Sequence, residues 1–310
     1  MKKLKHFLSI TNLSSTELIK LIQDAVKIKT ELKKKGQNKS LLKNKTMAMI
    51  FEKPSLRTRL SFEIGMTQFG GHAIYLAPSD IGMGKREPVR DVSIVVSSMA
   101  DIIMARTFSH QTVVDLAANS SVPVINALSD LEHPCQILAD LMTIYEVKGE
   151  LKGLKLSYVG DGNNNVTHSL CLACGLLGID FSCASPKGYW MKDSIKDQAL
   201  TLFNKSKAKL VETIDINEAV KNADVVVTDT WVSMGSEDEK EQRLKVFNSY
   251  QVDSKLMKNA KKDAIFMHCL PAYRGSEVSE DVIDGKQSVV FPEAENRLHA
   301  QKALILYLLK

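Results

Sequence analysis

The sequence predicts an α/β protein built as two doubly wound parallel-sheet lobes with an interlobe cleft, the C-terminal helix packing back on the first lobe. Three observations carry this. At 310 residues the chain exceeds one small core and suits two domains of roughly 150 residues. Short apolar runs alternate with helix-length amphipathic segments, the grammar of strand–helix–strand crossovers rather than of hairpins. That alternation restarts near residue 150, which places one domain over residues 1–140, a second over 141–292 and a returning helix over 293–310.

The elements follow in order. "SSTELIKLIQDAVKIKTELKKKG" sets Leu18, Leu21, Ile22, Val26 and Leu32 at helical spacing, with Ser14 and Glu17 as a capping box and Gly36 as the stop. "TMAMIFE", "HAIYLAP", "DIIMART" and "VPVINAL" read as strands, separated by helices in "SLRTRLSFEIGMTQFG", "VRDVSIVVSSMA" and "HQTVVDLAANSS"; a helix from Pro134 closes this half. The second half supplies strands in "LKLSYVGD", "DFSCASP", "AKLVETI", "DVVVTDT" and "AIFMHCLP", with helices between them, and ends on "EAENRLHAQKALILYLLK". Behind the helix start at residue 55, Leu60, Phe62 and Ile64 are expected to anchor that turn to the sheet.

Composition narrows the function class. The chain is 44% hydrophobic and 25% charged, has no repeat, and no apolar run reaches the roughly 20 residues that span a bilayer, so a cytoplasmic protein without membrane contact is expected. Five cysteines, an odd number in a long chain, argue against a disulfide framework. Cys171-x-x-Cys174 lies in an apolar helical pattern and reads as two buried thiols. Residues 1–45 hold 12 lysines against 3 acids, a balance of +9, while the remainder holds 29 basic and 33 acidic residues, a balance of −4. Such a start could bind nucleic acid, but it offers one aromatic, Phe7, and its lysines fall on the polar face of an amphipathic helix. No nucleic-acid partner is expected.

Parallel sheets bind ligands at the carboxyl ends of their strands, so those ends hold the candidate residues. After "MAMIFE" comes Lys53-Pro54-Ser55-Leu56-Arg57-Thr58-Arg59, where Ser55 caps a helix and Arg57 brings a planar fork; free amides and guanidinium together suit phosphate, while Arg59 is left to brace the loop against an acid. Arg106 ends another strand. His133 precedes Pro134, Cys135 and Gln136 at a further helix start, with proline at the first helical position. "SYVGDGNNN" suggests a dinucleotide turn, but Asn165 stands where the third glycine of the fingerprint belongs. Asp229 and Cys269 close two more strands, and no His, Cys, Asp or Glu set has metal-ligand spacing, so no metal is expected.

With these segments in place, the sequence resembles an ornithine carbamoyltransferase of the aspartate/ornithine carbamoyltransferase family over residues 7–310. The resemblance rests on "SLRTR" (55–59), "HPCQ" (133–136), "GDGNN" (160–164), "DTWVSMG" (229–235), "HCLP" (268–271) and "ENRLHAQKA" (295–303). The first two motifs are common to carbamoyltransferases; the Ser-Met-Gly loop and His-Cys-Leu-Pro separate ornithine from aspartate as acceptor.

The resemblance implies transfer of a carbamoyl group from carbamoyl phosphate to the δ-amine of L-ornithine, no cofactor, and a homotrimer. It implies catalytic roles for Arg57, Arg106, His133, Asp229 and Cys269. Carbamoyl phosphate is expected at Ser55, Leu56, Arg57, Thr58, Arg106, His133, Pro134, Cys135, Gln136, Cys269, Leu270 and Arg297. Ornithine is expected at Asn164, Asn165, Asp229, Ser233 and Met234. Gly82 departs from the family, which often has Gln or His in this segment; Lys85 or Arg86 is the nearest replacement for a contact reaching a neighbouring subunit. The loop 233–247 is expected to close over bound ornithine. Putrescine or an N-acylated ornithine is the rival acceptor, and a nicotinamide-dependent dehydrogenase the rival class.

Overall fold

In both halves of the chain every strand runs parallel to its neighbours, as crossover helices require. The computed structural model describes residues 4–84, 86–232 and 237–309. It divides into two units, one formed by Met1–Met142 with Glu295–Lys310, the other by Thr143–Ala294.

In the first unit β1 (Thr46–Phe51), β2 (His72–Leu76), β3 (Ile102–Arg106) and β4 (Val124–Leu128) form a sheet in the order β2-β1-β3-β4. The chain grows outward from β1 to β2, then crosses back to lay β3 on β1's other edge. The C-terminal ends of β1 and β3 are therefore the point where strand order reverses, the place such sheets leave open for a ligand. A register shift between Ala105 and Arg106 against β4 marks the end of β3. Phe7 covers the outer edge of β4, donating to Val124 O at 2.8 Å and accepting from Asn126 N at 2.8 Å.

The second unit repeats the device. Here β5 (Lys155–Val159), β6 (Asp180–Ala184), β7 (Leu210–Thr213), β8 (Val225–Val227) and β9 (Ile265–Met267) run in the order β7-β6-β5-β8-β9. The reversal lies between β5 and β8. Its core packs Val159, Val226 and Phe266 of the sheet against Trp231, Phe247, Tyr250 and Leu256.

The caps behave as their chemistry directs. Ser14 and Glu17 form the capping box of the helix Ser15–Lys35, and Gly36 ends it in the left-handed region at φ 71°. The helix Leu56–Gln68 differs from expectation in its buried face. Phe62 is fully buried, with Thr58, Ser61, Gly65 and Met66, whereas Leu60 and Ile64 are 47% and 39% exposed. Two stripes compete on this helix, and the one made of small residues wins because it lets the C-terminal helix Val290–Leu309 come close. A Cβ on Gly65 would stand 3.1 Å from Lys302 Cγ.

That approach buries Lys302 completely. Its ammonium donates to Asn38 Oδ1 and to Gln68 Oε1 and lies 4.6 Å from the Phe69 ring centroid. Neutral oxygens and a ring replace water incompletely, and burial pulls the ammonium pKa down to about 8. A lysine whose folded pKa lies below its unfolded value binds its proton more readily in the unfolded chain. Stability from this residue therefore rises with pH from about 8 to about 10.5 and is flat below that window. Thermal melts across this range should show a rise that is absent in Lys302→Met; parallel profiles would contradict it.

Candidate active site

The first reversal point gathers cations onto neutral partners. Ser55 caps the helix Leu56–Gln68, its Oγ accepting from Thr58 N at 3.4 Å and donating to Thr58 Oγ1 at 3.1 Å. Thr58 Oγ1 in turn accepts from Arg106 Nη1 at 3.5 Å and from Arg297 Nη2 at 3.4 Å, so one hydroxyl ties the ends of β1 and β3 to the C-terminal helix. Arg297 also donates through Nη1 to Gln136 Oε1 at 2.6 Å, and Gln136 Nε2 donates to Asp140 Oδ1 at 2.8 Å. Gln301, with its amide set to satisfy both ends, accepts from Arg297 Nε at 2.9 Å and Nη2 at 2.8 Å and donates to Ser61 Oγ. All these acceptors on Arg297 are uncharged, so they orient the guanidinium without cancelling its charge.

His133 is buried at the start of the helix Pro134–Lys148. Burial, then Arg297, Arg106, Lys53 and Arg57, hold its imidazole well below the usual range, so it is neutral at pH 7. Lys53, which sequence reasoning passed over, is buried 4.8 Å from the Phe108 ring centroid. Arg57 is half-buried and Leu56 is 71% exposed. The Cys135 thiol points inward, donating to Asn126 O at 3.3 Å, and burial pushes its pKa up to about 12; it faces the core, not a ligand. Arg59 pairs with Glu63 at 3.1 Å and lies over Tyr75, the bracing role expected of it.

The second reversal point is acidic and amide-rich. Asn164 caps the helix Asn165–Leu177: its Oδ1 accepts from Thr167 N at 2.8 Å and its Nδ2 donates to Tyr158 OH at 2.7 Å. The glycines of "GDG" serve close packing. Gly162 N donates to Ser185 Oγ at 2.7 Å, and a Cβ there would meet Tyr189 O at 2.7 Å; Gly160 sits at φ 140°. The Gly162 amide, of the kind a dinucleotide turn offers a pyrophosphate, is taken by Ser185 instead.

Asp229 is buried after β8, and burial raises its carboxyl above the ordinary range, against the pull of the Cys269 thiol, which donates to Oδ1 at 3.2 Å. His268 Nδ1 accepts from Leu270 N at 2.9 Å, which fixes the proton on Nε2, and that nitrogen faces Glu277 Oε1 at 3.1 Å. This clamp holds Leu270 at φ 57°, in the left-handed region. Asp229, His268 and Cys269 each bring one ligand-type atom within 4.8 Å of the others, a grouping their sequence spacing conceals. Both imidazole nitrogens are already engaged, which leaves no lone pair for a metal.

Ser233 and Met234, expected at the acceptor site, and Lys85 lie outside the described residues. Sequence reasoning missed Arg243. Its Nη1 donates to Asp161 Oδ2 at 2.7 Å and to Trp231 O at 3.1 Å, its Nε to Glu239 Oε2 at 2.8 Å, and its guanidinium lies over Tyr189. One side chain thus joins the turn after β5 to the segment after β8. The signal was present only as one arginine in an acidic run.

The sequence matches the description "Aspartate/ornithine carbamoyltransferase, carbamoyl-P binding domain" over residues 5–146 and "Aspartate/ornithine carbamoyltransferase, Asp/Orn binding domain" over residues 152–308. The chain belongs to the aspartate/ornithine carbamoyltransferase family. Among relatives of this family, the ornithine carbamoyltransferase of Anoxybacillus flavithermus is 51% identical over 98% of this chain and 96% of its own. The structure of ornithine carbamoyltransferase from Pyrococcus furiosus superposes with a TM-score of 0.95 at 47% identity, covering 99% and 97% of the two chains. The anabolic ornithine carbamoyltransferase from Campylobacter jejuni gives 0.92 at 44%, covering 98% of each.

The Arg243–Asp161 pair is shielded, with side-chain exposures of 12% and 4%. Removing one partner strands the other charge, at a cost of roughly 3 to 5 kcal/mol. Denaturant unfolding should show Arg243→Met losing this much, while Asp161→Asn/Arg243→Met loses less than the sum of the single changes. Strict additivity would deny the coupling.

Proposed function

We propose that this chain transfers the carbamoyl group of carbamoyl phosphate to the δ-amine of L-ornithine, releasing L-citrulline and phosphate in arginine metabolism. The observation that carries the reading is the cluster of Arg57, Arg106, Arg297 and Lys53 around a neutral His133 at the reversal point of the first sheet. Such a site suits a compact dianion. The names of the full-length relatives favour ornithine as acceptor, and the buried Asp229 suits its ammonium group.

In this reading Ser55, the Leu56 amide, Arg57 and Thr58 hold the phosphate. Arg106 and His133 face the carbonyl oxygen, and Gln136, the Leu270 carbonyl and Arg297 position the amino end. Asn164 caps its helix and holds Tyr158, so it sets the turn, and Asn164 and Asn165 are the candidates for the acceptor contact. Ser233 and Met234 complete the acceptor set by resemblance. The neutral δ-amine attacks the carbamoyl carbon, the carbonyl oxygen gains charge that Arg57, Arg106 and the His133 region offset, and the C–O bond to phosphate breaks. Departing phosphate takes the amine's proton.

The same proposal takes the enzyme as a cytoplasmic homotrimer. Among the described residues no helix is long and apolar enough to cross a membrane. The exposed Leu56, Leu60 and Ile64, four residues apart along one helix face, together with Ile74 on the edge strand β2, support an interface on the first unit.

A ureido-product assay with carbamoyl phosphate against ornithine, acetylornithine, putrescine, lysine and aspartate tests the acceptor; turnover with another amine in preference to ornithine overturns it. Arg57→Ala and Arg106→Ala should each lower turnover at least about a hundredfold in folded protein. Near-wild-type turnover in either would sink the assignment.

A further inference from the structure

The second unit carries a groove at the edge of its sheet opposite the candidate site. Asp229 and Cys269 follow β8 and β9, whereas this groove is built by residues that precede β9 and by the turn after the short helix Glu280–Ile283. Its volume is about 450 Å³, enough for a small molecule. Met257 and Val282 form a buried apolar floor. Gly285 permits the close turn at that end, since a Cβ there would stand 2.4 Å from Asp281 O.

Most polar groups in its lining are already matched. Lys261 Nζ pairs with Asp224 at 2.7 Å, Ser254 Oγ donates to Asp281, and Gln287 Nε2 donates to Ala264 O at 2.7 Å. Lys258, Lys262 and Lys286 are exposed and have no ion pair or side-chain hydrogen bond among the described residues. Three exposed lysines thus line one concavity whose single lining carboxylate is held by a serine. Exposed lysine–carboxylate pairs contribute little singly, so a monovalent anion would gain little here. A ligand that carries several charges on one short frame engages all three at a single cost in lost freedom.

We propose that this groove binds a compact multivalent oxyanion of the short polyphosphate class, with Lys258, Lys262 and Lys286 as its ligands. The site is separate from the carbamoyl transfer residues. Binding is electrostatic and weakens as salt rises.

Isothermal titration of tripolyphosphate into Arg57→Ala protein, whose own anion pocket is impaired, tests this at about 0.1 M salt. One site per chain is expected, at least tenfold tighter for tripolyphosphate than for orthophosphate. Adding Lys258→Gln, Lys262→Gln and Lys286→Gln should weaken tripolyphosphate at least tenfold, with carbamoyl transfer unchanged when the triple substitution is placed in otherwise wild-type protein. Removing the same charge elsewhere, by Lys20→Gln, Lys34→Gln and Lys39→Gln, should leave affinity within about twofold. Equal affinity with the groove lysines replaced, an equal loss in the distant triple, or orthophosphate binding as tight as tripolyphosphate would each overturn the proposal.

Discussion

Each sheet reverses its direction of growth once, and the candidate site is organised around those two reversals. Between β1 and β3, and again between β5 and β8, neighbouring crossovers leave on opposite faces and the strand ends stay uncovered. The first opening receives the helix start at Ser55 and Arg106; the second receives the Asp161–Asn164 turn and Asp229. Topology decides where side chains can meet a ligand, and only then does their chemistry matter.

The two openings have opposite electrostatic character, achieved in different ways. In the first, guanidinium groups are oriented by a threonine hydroxyl and two glutamine oxygens, which satisfy geometry while leaving positive potential intact. That potential, with burial, keeps His133 uncharged. In the second, a buried carboxylate is held by a thiol and a backbone amide, weak partners for an anion, so a cationic ligand would relieve its desolvation. Supporting residues do the orienting: Gln136, Gln301, Glu277 and Arg243 each fix a group that stands closer to the openings.

Much of this was legible in the sequence. Period and turn chemistry located the nine strands of the described residues, and the capping residues Ser14 and Ser55 marked helix starts, because these signals are local. Strand-end polar residues located the candidate site for the same reason. What stayed hidden depends on distant partners. Arg243 finds Asp161 across 82 residues and Arg297 finds Gln136 across 161, and no spacing rule reports such pairs. Leu60 and Ile64 misled because a helix with two apolar stripes does not say which faces inward; Lys302, far along the chain, chose the stripe containing Gly65.

The first unit is closed by a helix that follows the whole second unit in sequence. Arg297, Gln301 and Lys302 knit Thr58, Gln136, Ser61, Asn38 and Gln68 together. Domains fold during synthesis from the N-terminus onward, but this one waits for its closing helix. A nascent chain still in the ribosomal tunnel, or one released early by a stop codon near residue 290, carries every strand of both sheets and lacks the clasp of the first. Synthesis of the whole second unit thus precedes assembly of the arginine cluster, and products ended before this helix are poor competitors for its ligand.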